Sequence, residues 1–343
     1  MAGGTGGHVF PGIAIAKALE KQGVDIIWLG SEGGMETTLV PKADLSFQTL
    51  SITGFRGKSF LNQLKMPFIL IQAVIQAYKI LKKEKPDLVL GMGGFAAAPG
   101  GIAAKLLNIP LIIHEQNSIS GWTNKFLSKI ASHVFCAFPN TFPISPRIII
   151  TGNPVREDIQ QLPLKHTLHH PPRLLISGGS RGAKILNDIV PEAIELLPEN
   201  LRPEIYHQTG QTSSANYHNI QNISVITQPF IDDMAKAYDW ADLVICRAGA
   251  LTLAELTAVG LPAILVPYPY AVDDHQTVNA KYLEAHHAAV LLPQSELTPE
   301  KLSQLLIKIF LSPEKYALMT KASKNLNTQN STQKIVELIN TYL

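Results

Sequence analysis

Short, continuous hydrophobic runs alternate with helical patterns along almost the whole chain, and this alternation limits the fold more than any other feature. Runs such as "VDIIWLG", "PDLVLGMGG" and "IPLIIHEQN" are typical of parallel strands that are buried on both faces. The pattern stops in the proline- and histidine-rich stretch "LPLKHTLHHPPR" and restarts with "RLLISGGS", "PEIYHQTG" and "DLVICRAGA". We therefore predict an α/β protein of two Rossmann-like domains, each with a doubly wound parallel sheet.

The composition agrees with this prediction and excludes several classes of protein. A chain of 343 residues is long for a single core, and 46% hydrophobic with 16% charged residues is typical of a globular protein. The net charge of +2 gives no argument for a nucleic-acid partner. Two cysteines cannot build a disulfide framework, which favours a reducing compartment.

Small residues collect where four of the predicted strands end. They occupy Gly3–Gly7, Gly91–Gly94, Gly178–Gly182 and Ala248–Ala250. Glycine lets a backbone approach a ligand closely, and a following helix offers N–H groups to an anion. The alternative is that these glycines only make tight turns. Their recurrence in both halves favours a shared cleft that binds a phosphate-containing ligand. The spacing of "GGTGGHV" matches neither a dinucleotide fingerprint nor a P-loop.

The first glycine loop follows only Met1 and Ala2, although such a loop normally follows a strand of about five or six residues. We therefore expect the first strand of the N-terminal domain to be missing and the natural chain to start upstream. The alternative is a genuine start, with the loop held only by its following helix.

Long motifs along the chain resemble one family of enzymes. "GGTGGHVFPGIAIA", "GMGGFAAAPGGIAA", "HEQNSISGWTNKFL", "TGNPVRED", "ISGGSRGAKILN" and "DDHQTVNAKYL" are similar, in this order, to motifs of the MurG family of peptidoglycan synthesis. The resemblance covers essentially the whole chain. It implies a GT-B fold, with two domains facing across a cleft, and transfer of GlcNAc from UDP-GlcNAc to lipid I (undecaprenyl-pyrophosphoryl-MurNAc-pentapeptide). The resemblance further implies that the acceptor is the C4 hydroxyl of MurNAc, that the anomeric configuration inverts, and that the product is lipid II.

The resemblance also implies where the domains divide and which residues bind the donor. Residues 1–157, completed by a C-terminal helix over 328–343, are expected to bind the acceptor and the membrane, and 158–327 to bind UDP-GlcNAc. Glu255 is expected to bind the ribose diol, although it could be an ordinary glutamate on a helix face. Arg156 could instead pair with Glu157 or Asp158. The expected donor contacts are Thr5, Gly6, Gly7, Asn117, Arg156, Ser180, Ile231, Ala250, Leu251, Thr252, Leu253, Ala254, Glu255 and Gln276.

His8 is the candidate general base. An imidazole with an ordinary pKa of roughly 6.5 suits removal of a proton from a sugar hydroxyl near neutral pH. Two alternatives stay open: His8 could cap a helix or bind phosphate, and Glu115 could be the base. UDP is already a good leaving group, so the chemistry requires no cofactor and no bound divalent metal.

A predicted helix over 67–83 is apolar around most of its circumference, with a narrow polar stripe of Gln72, Gln76, Lys79 and Lys83. Seven Lys or Arg and one Glu lie between Arg56 and Lys85, which favours an anionic membrane surface over burial between core elements. We expect a peripheral protein on the cytoplasmic face of the cell membrane. The residues expected to meet the acceptor or the membrane are Gly93, Gly94, Leu64, Phe68, Ile71 and Ile75.

Two other functions are compatible with these motifs. One is a different UDP-sugar enzyme of the same fold, such as another glycosyltransferase or a 2-epimerase. The other is a membrane module that binds a UDP-sugar without turnover. The joint presence of His8, Glu255 and Gln276 favours an enzyme.

Overall fold

A computed structural model of the chain describes residues 1–4, 6–52, 66–164, 167–179, 182–211, 214–328 and 330–343. It divides into two compact units. One consists of Met1–Val155 with Asn330–Leu343, and the other of Arg156–Gln329.

The first unit is built on parallel strands and the helices between them. Its helices are α1 (Gly6–Glu20), α2 (Glu36–Lys42), α3 (Met66–Glu84), α4 (Ala97–Leu106) and α5 (Trp122–Leu127). Its strands are β1 (Ile27–Ser31), β2 (Ser46–Leu50), β3 (Val89–Gly91), β4 (Leu111–Glu115), β5 (His133–Cys136) and β6 (Ile148–Ile150). Strands β1 and β2 form one parallel pair, and β3, β4, β5 and β6 form a four-stranded parallel sheet in that order.

Neighbouring residues of β4 explain why its sequence is continuously apolar. Ile113 packs in a core cluster with Ala73 and Ala77 of α3, whereas Ile112 packs in a second cluster with Val9 of α1. The two sides of the strand therefore both face helices, as expected for a doubly wound sheet. The second cluster also contains Ile335, Val336 and Ile339 from a helix at the end of the chain.

The first two residues contact both sets of strands. The backbone N–H of Met92 donates to Met1 O over 2.8 Å, and the Met1 amino group donates to Leu90 O. The indole of Trp28, on β1, donates to Ala2 O over 3.2 Å. A strand before the first glycine loop stays a prediction.

The second unit contains one six-stranded parallel sheet in the order β12-β11-β10-β7-β8-β9. Its strands are β7 (Arg173–Ser177), β8 (Glu204–Gln208), β9 (Val225–Gln228), β10 (Leu243–Cys246), β11 (Ala263–Leu265) and β12 (Ala289–Leu291). Its helices are α6 (Glu157–Gln160), α7 (Lys184–Glu195), α8 (Met234–Trp240), α9 (Ala250–Val259), α10 (His275–Ala285), α11 (Pro299–Phe310) and α12 (Pro313–Leu326). Short 3₁₀ turns lie at Glu199–Leu201, Val272–Asp274 and Gln294–Glu296, and α13 (Ser331–Asn340) returns to the first unit.

Local sequence signals set several helix ends in this unit. The side chains of Asp233, Thr298 and Ser312 each accept the backbone N–H three residues later, and so cap α8, α11 and α12. Both α11 and α12 begin with a proline, which has no N–H to leave unsatisfied at that position. These caps and prolines fix where α8, α11 and α12 begin.

Candidate active site

The two glycine loops of the first unit pack directly against each other. Gly94 has a φ of +82°, and a Cβ at this position would lie 2.1 Å from the carbonyl oxygen of Gly3. A Cβ at Gly93 would lie 3.0 Å from Cε1 of His8. The loop after β3 therefore needs glycine to let the first loop and His8 approach. Gly6, Gly7 and His8 form the first turn of α1, where backbone N–H groups have no partner within the helix.

A buried carboxylate holds the first loop in place. Glu36 is fully buried, and one of its oxygens accepts the backbone N–H of Gly4 over 2.9 Å. The other oxygen accepts the backbone N–H of Ser31 over 3.0 Å and its hydroxyl over 2.6 Å. Glu36 therefore ties the loop before His8 to the end of β1. The only sequence signal for this residue is a glutamate in the glycine-rich "SEGGMET", which does not predict such a role.

His8 is half-buried and has a defined partner in the first unit. Its Nδ1 lies 2.9 Å from Oε1 of Gln116, a buried residue just after β4. The Nε2 atom of the ring makes no hydrogen bond within the part of the chain that the structure describes. The first unit therefore places an imidazole at the glycine loops with one nitrogen engaged. Gln116 is a second residue whose role no sequence pattern predicts.

Glu115, the alternative base, is occupied by four hydrogen bonds. It is buried, and its Oε1 accepts the backbone N–H and the side-chain amide of Asn117 over 3.1 and 3.3 Å. Its Oε2 accepts the backbone N–H of Gly121 over 3.1 Å and the amide of Asn124 over 2.9 Å. A carboxylate has about four lone-pair positions, so these donors fill it. Glu115 thus orders the loop that carries Asn117.

In the second unit, the structure brings Glu255 and Tyr238 together. Glu255 is half-buried in α9, and the Tyr238 hydroxyl donates to its Oε2 over 2.9 Å. Burial raises the pKa of Glu255 to about 7, although the Tyr238 hydrogen bond and the charge of Arg156 lower it. Arg156 makes the ion pair with Asp158 that was kept as an alternative, but the pair is partly exposed and 3.7 Å long. Such pairs stabilise little, so Arg156 can bind a ligand as well.

Helix α9 begins at the loop that ends β10. Gly249 precedes it in extended conformation, so Ala250, Leu251 and Thr252 form its first turn. The N–H groups of a first turn and the positive end of the helix dipole suit a diphosphate. The next residues of α9 are Leu253, which is buried, and Ala254, which is half-buried, and Glu255 follows them.

Gln276 lies in the first turn of α10 and is oriented by the neighbouring loop. Its Oε1 accepts the backbone N–H of Tyr268 over 2.9 Å, which turns the amide donor the other way.

Ile231 is buried two residues before the capping residue Asp233, so only its backbone is suited to contact a ligand. The loop after β7 is anchored by Gln208, whose Nε2 donates to Gly179 O over 2.7 Å. Of the predicted site residues, Thr5, Leu64 and Ser180 lie outside the described residues.

Helix α3 exposes a face that is strongly apolar. Phe68, Ile71 and Ile75 are 75, 57 and 51% exposed, whereas Ala73 and Ala77 on the other side are fully buried. The helix observed is slightly longer than predicted. The alternative of a helix buried between two core elements is wrong, because this face is exposed. Further exposed apolar side chains lie on the helices that follow: Leu106, Trp122 and Phe126.

Lys125 lies 5.9 Å from the ring centre of Trp122, and α4 packs against both α3 and α5. No helix within the described ranges is both long and apolar enough to cross a bilayer. Among the described residues, no three His, Cys, Asp or Glu side chains are grouped to hold a metal ion.

Comparison with known proteins places these observations in a family. Residues 1–136 match the glycosyltransferase family 28 N-terminal domain, and residues 173–339 match the family's C-terminal domain. The chain is 49% identical over 350 residues to the UDP-N-acetylglucosamine--N-acetylmuramyl-(pentapeptide) pyrophosphoryl-undecaprenol N-acetylglucosamine transferase of Histophilus somni (strain 129Pt). That alignment covers 99% of this chain and 96% of the relative.

Two solved structures extend the comparison. The crystal structure of MurG from Acinetobacter baumannii is 41% identical, with a TM-score of 0.82, and the match covers 99% of this chain and 98% of that one. A putative UDP-N-acetylglucosamine 2-epimerase from Listeria monocytogenes has a TM-score of 0.70 at 14% identity, over 99% and 94% of the two chains, and so shares the fold alone. The predicted two-domain α/β fold with parallel sheets, the predicted resemblance and the predicted enzyme class are confirmed. The chain belongs to glycosyltransferase family 28.

Proposed function

We propose that this enzyme transfers GlcNAc from UDP-GlcNAc to the C4 hydroxyl of MurNAc in lipid I, with inversion, and forms lipid II. One observation carries the proposal: the 49% identity, across 99% of the chain, to a relative named for this reaction. The residues predicted from the sequence add support: His8 lies in the first turn of α1, next to the loop that follows β3, and Glu255 lies in α9, which follows β10.

The second unit supplies the donor site in this proposal. The carboxylate of Glu255 accepts hydrogen bonds from the two ribose hydroxyls, while the first turn of α9 binds the diphosphate. Gln276 offers its amide donor to the hydroxyls of GlcNAc, and the backbone at Ile231 reads the uracil. The charge that develops on UDP as it leaves is stabilised by the helix N-terminus, so no bound metal is needed.

The first unit supplies the acceptor site and the base. The imidazole of His8 removes the proton from the C4 hydroxyl as the hydroxyl oxygen attacks the anomeric carbon of GlcNAc. The bond from that carbon to the diphosphate oxygen breaks, and its electron pair leaves with UDP. We assign Glu115 the role of ordering Asn117 for contact with the donor sugar, because four hydrogen bonds already occupy its carboxylate. We assign the pyrophosphate of the acceptor to the loop of Gly93 and Gly94, which the first glycine loop and His8 approach closely.

The exposed face of α3 is our candidate membrane surface. Phe68, Ile71 and Ile75 would enter the interfacial layer, and cationic side chains such as Lys79, Lys82 and Lys83 would meet anionic headgroups. Trp122 and Phe126 extend the apolar surface at α5. The proposed location is therefore peripheral, on the cytoplasmic face of the membrane, where a polyprenyl-linked acceptor is accessible.

One assay distinguishes the proposal from its alternatives. The protein is incubated with UDP-GlcNAc radiolabelled in the sugar and a lipid I analogue, and the lipid and aqueous products are separated. We expect label in the lipid fraction only when the analogue is present. Isomerised UDP-sugar in the absence of the analogue would identify an epimerase instead. Binding of UDP-GlcNAc with no labelled product in either fraction would leave only a binding module.

A further inference from the structure

A chain of hydrogen bonds with a fixed direction runs through the core of the first unit to His8. It begins at Gly152, just after β6, whose carbonyl oxygen lies 3.0 Å from Nε2 of the buried His114. A carbonyl can only accept, so this ring nitrogen carries a proton. Burial lowers the pKa of His114 to about 4, so the ring is neutral near pH 7 and its Nδ1 is an acceptor.

The side-chain amide of Gln116 has only one orientation that satisfies its surroundings. Its Nε2 lies 3.0 Å from Met92 O, 3.1 Å from His114 Nδ1 and 3.2 Å from His114 O. All three atoms are acceptors, so the NH₂ group must face them. The opposite orientation would place Oε1 against two carbonyl oxygens and leave the NH₂ group facing His8. The acceptor Oε1 therefore lies 2.9 Å from Nδ1 of His8.

We propose that Gln116 is a positioning residue that holds the proton of neutral His8 on Nδ1 and leaves Nε2 unprotonated to accept the proton of the sugar hydroxyl. The inference rests on the proposed function for the identity of that hydroxyl, but the state of the ring can be tested without any substrate. A neutral imidazole carries its proton on either nitrogen, and only the tautomer with an unprotonated Nε2 presents a base on that side. His114 acts one step further back, because its Nδ1 fixes the orientation of Gln116.

The experiment is ¹⁵N NMR of protein labelled in its histidine rings, at a pH where His8 is neutral. Comparison with His8→Ala identifies the His8 resonances. We expect a protonated Nδ1 and an unprotonated Nε2 in the parent protein. In Gln116→Met the acceptor is removed, and the His8 signals are expected to move towards a mixture of tautomers or towards protonated Nε2. Gln116→Glu retains an oxygen acceptor towards His8 and is expected to retain the parent tautomer.

Asn124→Leu is the matched control. Asn124 is as buried as Gln116, and its replacement also removes buried hydrogen bonds, here to His114 O and Glu115 Oε2, but Asn124 makes none to His8. In Asn124→Leu, the His8 signals are expected to match those of the parent protein, even if the melting temperature of the variant falls. Transfer assays run in parallel should show that Gln116→Met lowers kcat by about 10-fold or more, and by no more than the ~10²–10⁴-fold that a general base contributes.

Two results would overturn the inference: a parent protein with its proton on Nε2 of His8, or an unchanged tautomer in folded Gln116→Met. If Gln116→Met does not fold, the tautomer of the parent protein still decides, because a proton on Nε2 of His8 would overturn the inference. A parent protein with the expected tautomer but no transfer to lipid I would overturn the proposed function and leave the role of Gln116 intact.

Discussion

Glu255→Gln tests the donor site most directly, because it removes a charge and keeps the size of the side chain. In the proposed complex the ribose hydroxyls donate to a carboxylate. Hydrogen bonds to charged groups contribute about 1.5–3 kcal/mol, which corresponds to a Kd raised about 10- to 150-fold. Calorimetric titration with UDP-GlcNAc at pH 8 measures this change. Glu192→Gln, an exposed helix glutamate in the same unit, is the control and should bind as the parent does.

The pH dependence of binding adds a second test to the same variant. Burial raises the pKa of Glu255 to about 7, so the free protein loses its carboxylate as the pH falls through that value. A ligand that prefers the ionised form binds more weakly below the pKa, by up to about tenfold per pH unit. The Kd of the parent protein is therefore expected to rise between pH 8 and pH 5. The Kd of Glu255→Gln should change much less over this range.

Unfolding of the unliganded protein separates a lost contact from a damaged fold. Because the pKa of Glu255 is higher in the folded state, the parent loses stability as the pH rises from about 4.5 to about 7. A pKa that differs by one between the folded and unfolded states corresponds to about 1.36 kcal/mol. Glu255→Gln should thus be more stable than the parent at pH 8, by about 3 kcal/mol at most, and about equal to it below pH 4.5. An unchanged Kd with the same pH profile as the parent would remove Glu255 from the ribose site.

His8→Ala is expected to lower turnover roughly 10²–10⁴-fold with the Kd of UDP-GlcNAc nearly unchanged; weaker acceptor binding at full turnover would instead make His8 a pyrophosphate ligand. Phe68→Glu with Ile71→Glu should abolish sedimentation with anionic vesicles and leave donor affinity unchanged, and unfolding of this double variant would refute a membrane surface. Its control is a pair of similarly exposed leucines in the second unit, Leu311→Glu with Leu318→Glu. Glu36→Gln should lower the free energy of unfolding by about 1–3 kcal/mol, because a fully buried carboxylate with three donors loses part of its hydrogen bonding. A urea titration that shows no change would argue against that anchor.

The sheets and the helix positions were predictable because their signals are local. Continuous apolar runs predicted the strands that are buried on both faces, as at β4. The narrow polar stripe in residues 67–83 predicted a helix, which α3 confirms. The exposure of Phe68 and Ile71 could not be decided from the pattern alone. A helix that is apolar on most sides fits either burial or a membrane surface until its neighbours are known.

The residues that hold the site in place were not predictable from the sequence. Gln116 lies 108 positions from His8, and Glu36 lies 32 positions from Gly4. Tyr238 lies on a different helix from Glu255. No local period or spacing relates such pairs, because they meet only when the strands and helices of a unit pack together. Residues that contact a substrate belong to recognisable motifs, whereas residues that orient them look like ordinary glutamine, glutamate or tyrosine.

The two units therefore differ in how their site residues relate to stability. In the first unit the residues that orient His8 are buried and hydrogen-bonded, so Gln116 and Glu36 also stabilise the fold. Substitutions there are expected to lower activity and stability together, and only a readout such as the tautomer of His8 can separate the two effects.

In the second unit the relation between stability and binding is reversed. Burial of an ionised Glu255 destabilises the free protein near neutral pH, and a ligand that donates hydrogen bonds to this carboxylate offsets that cost. Stability and donor binding should consequently change in opposite directions when Glu255 is neutralised.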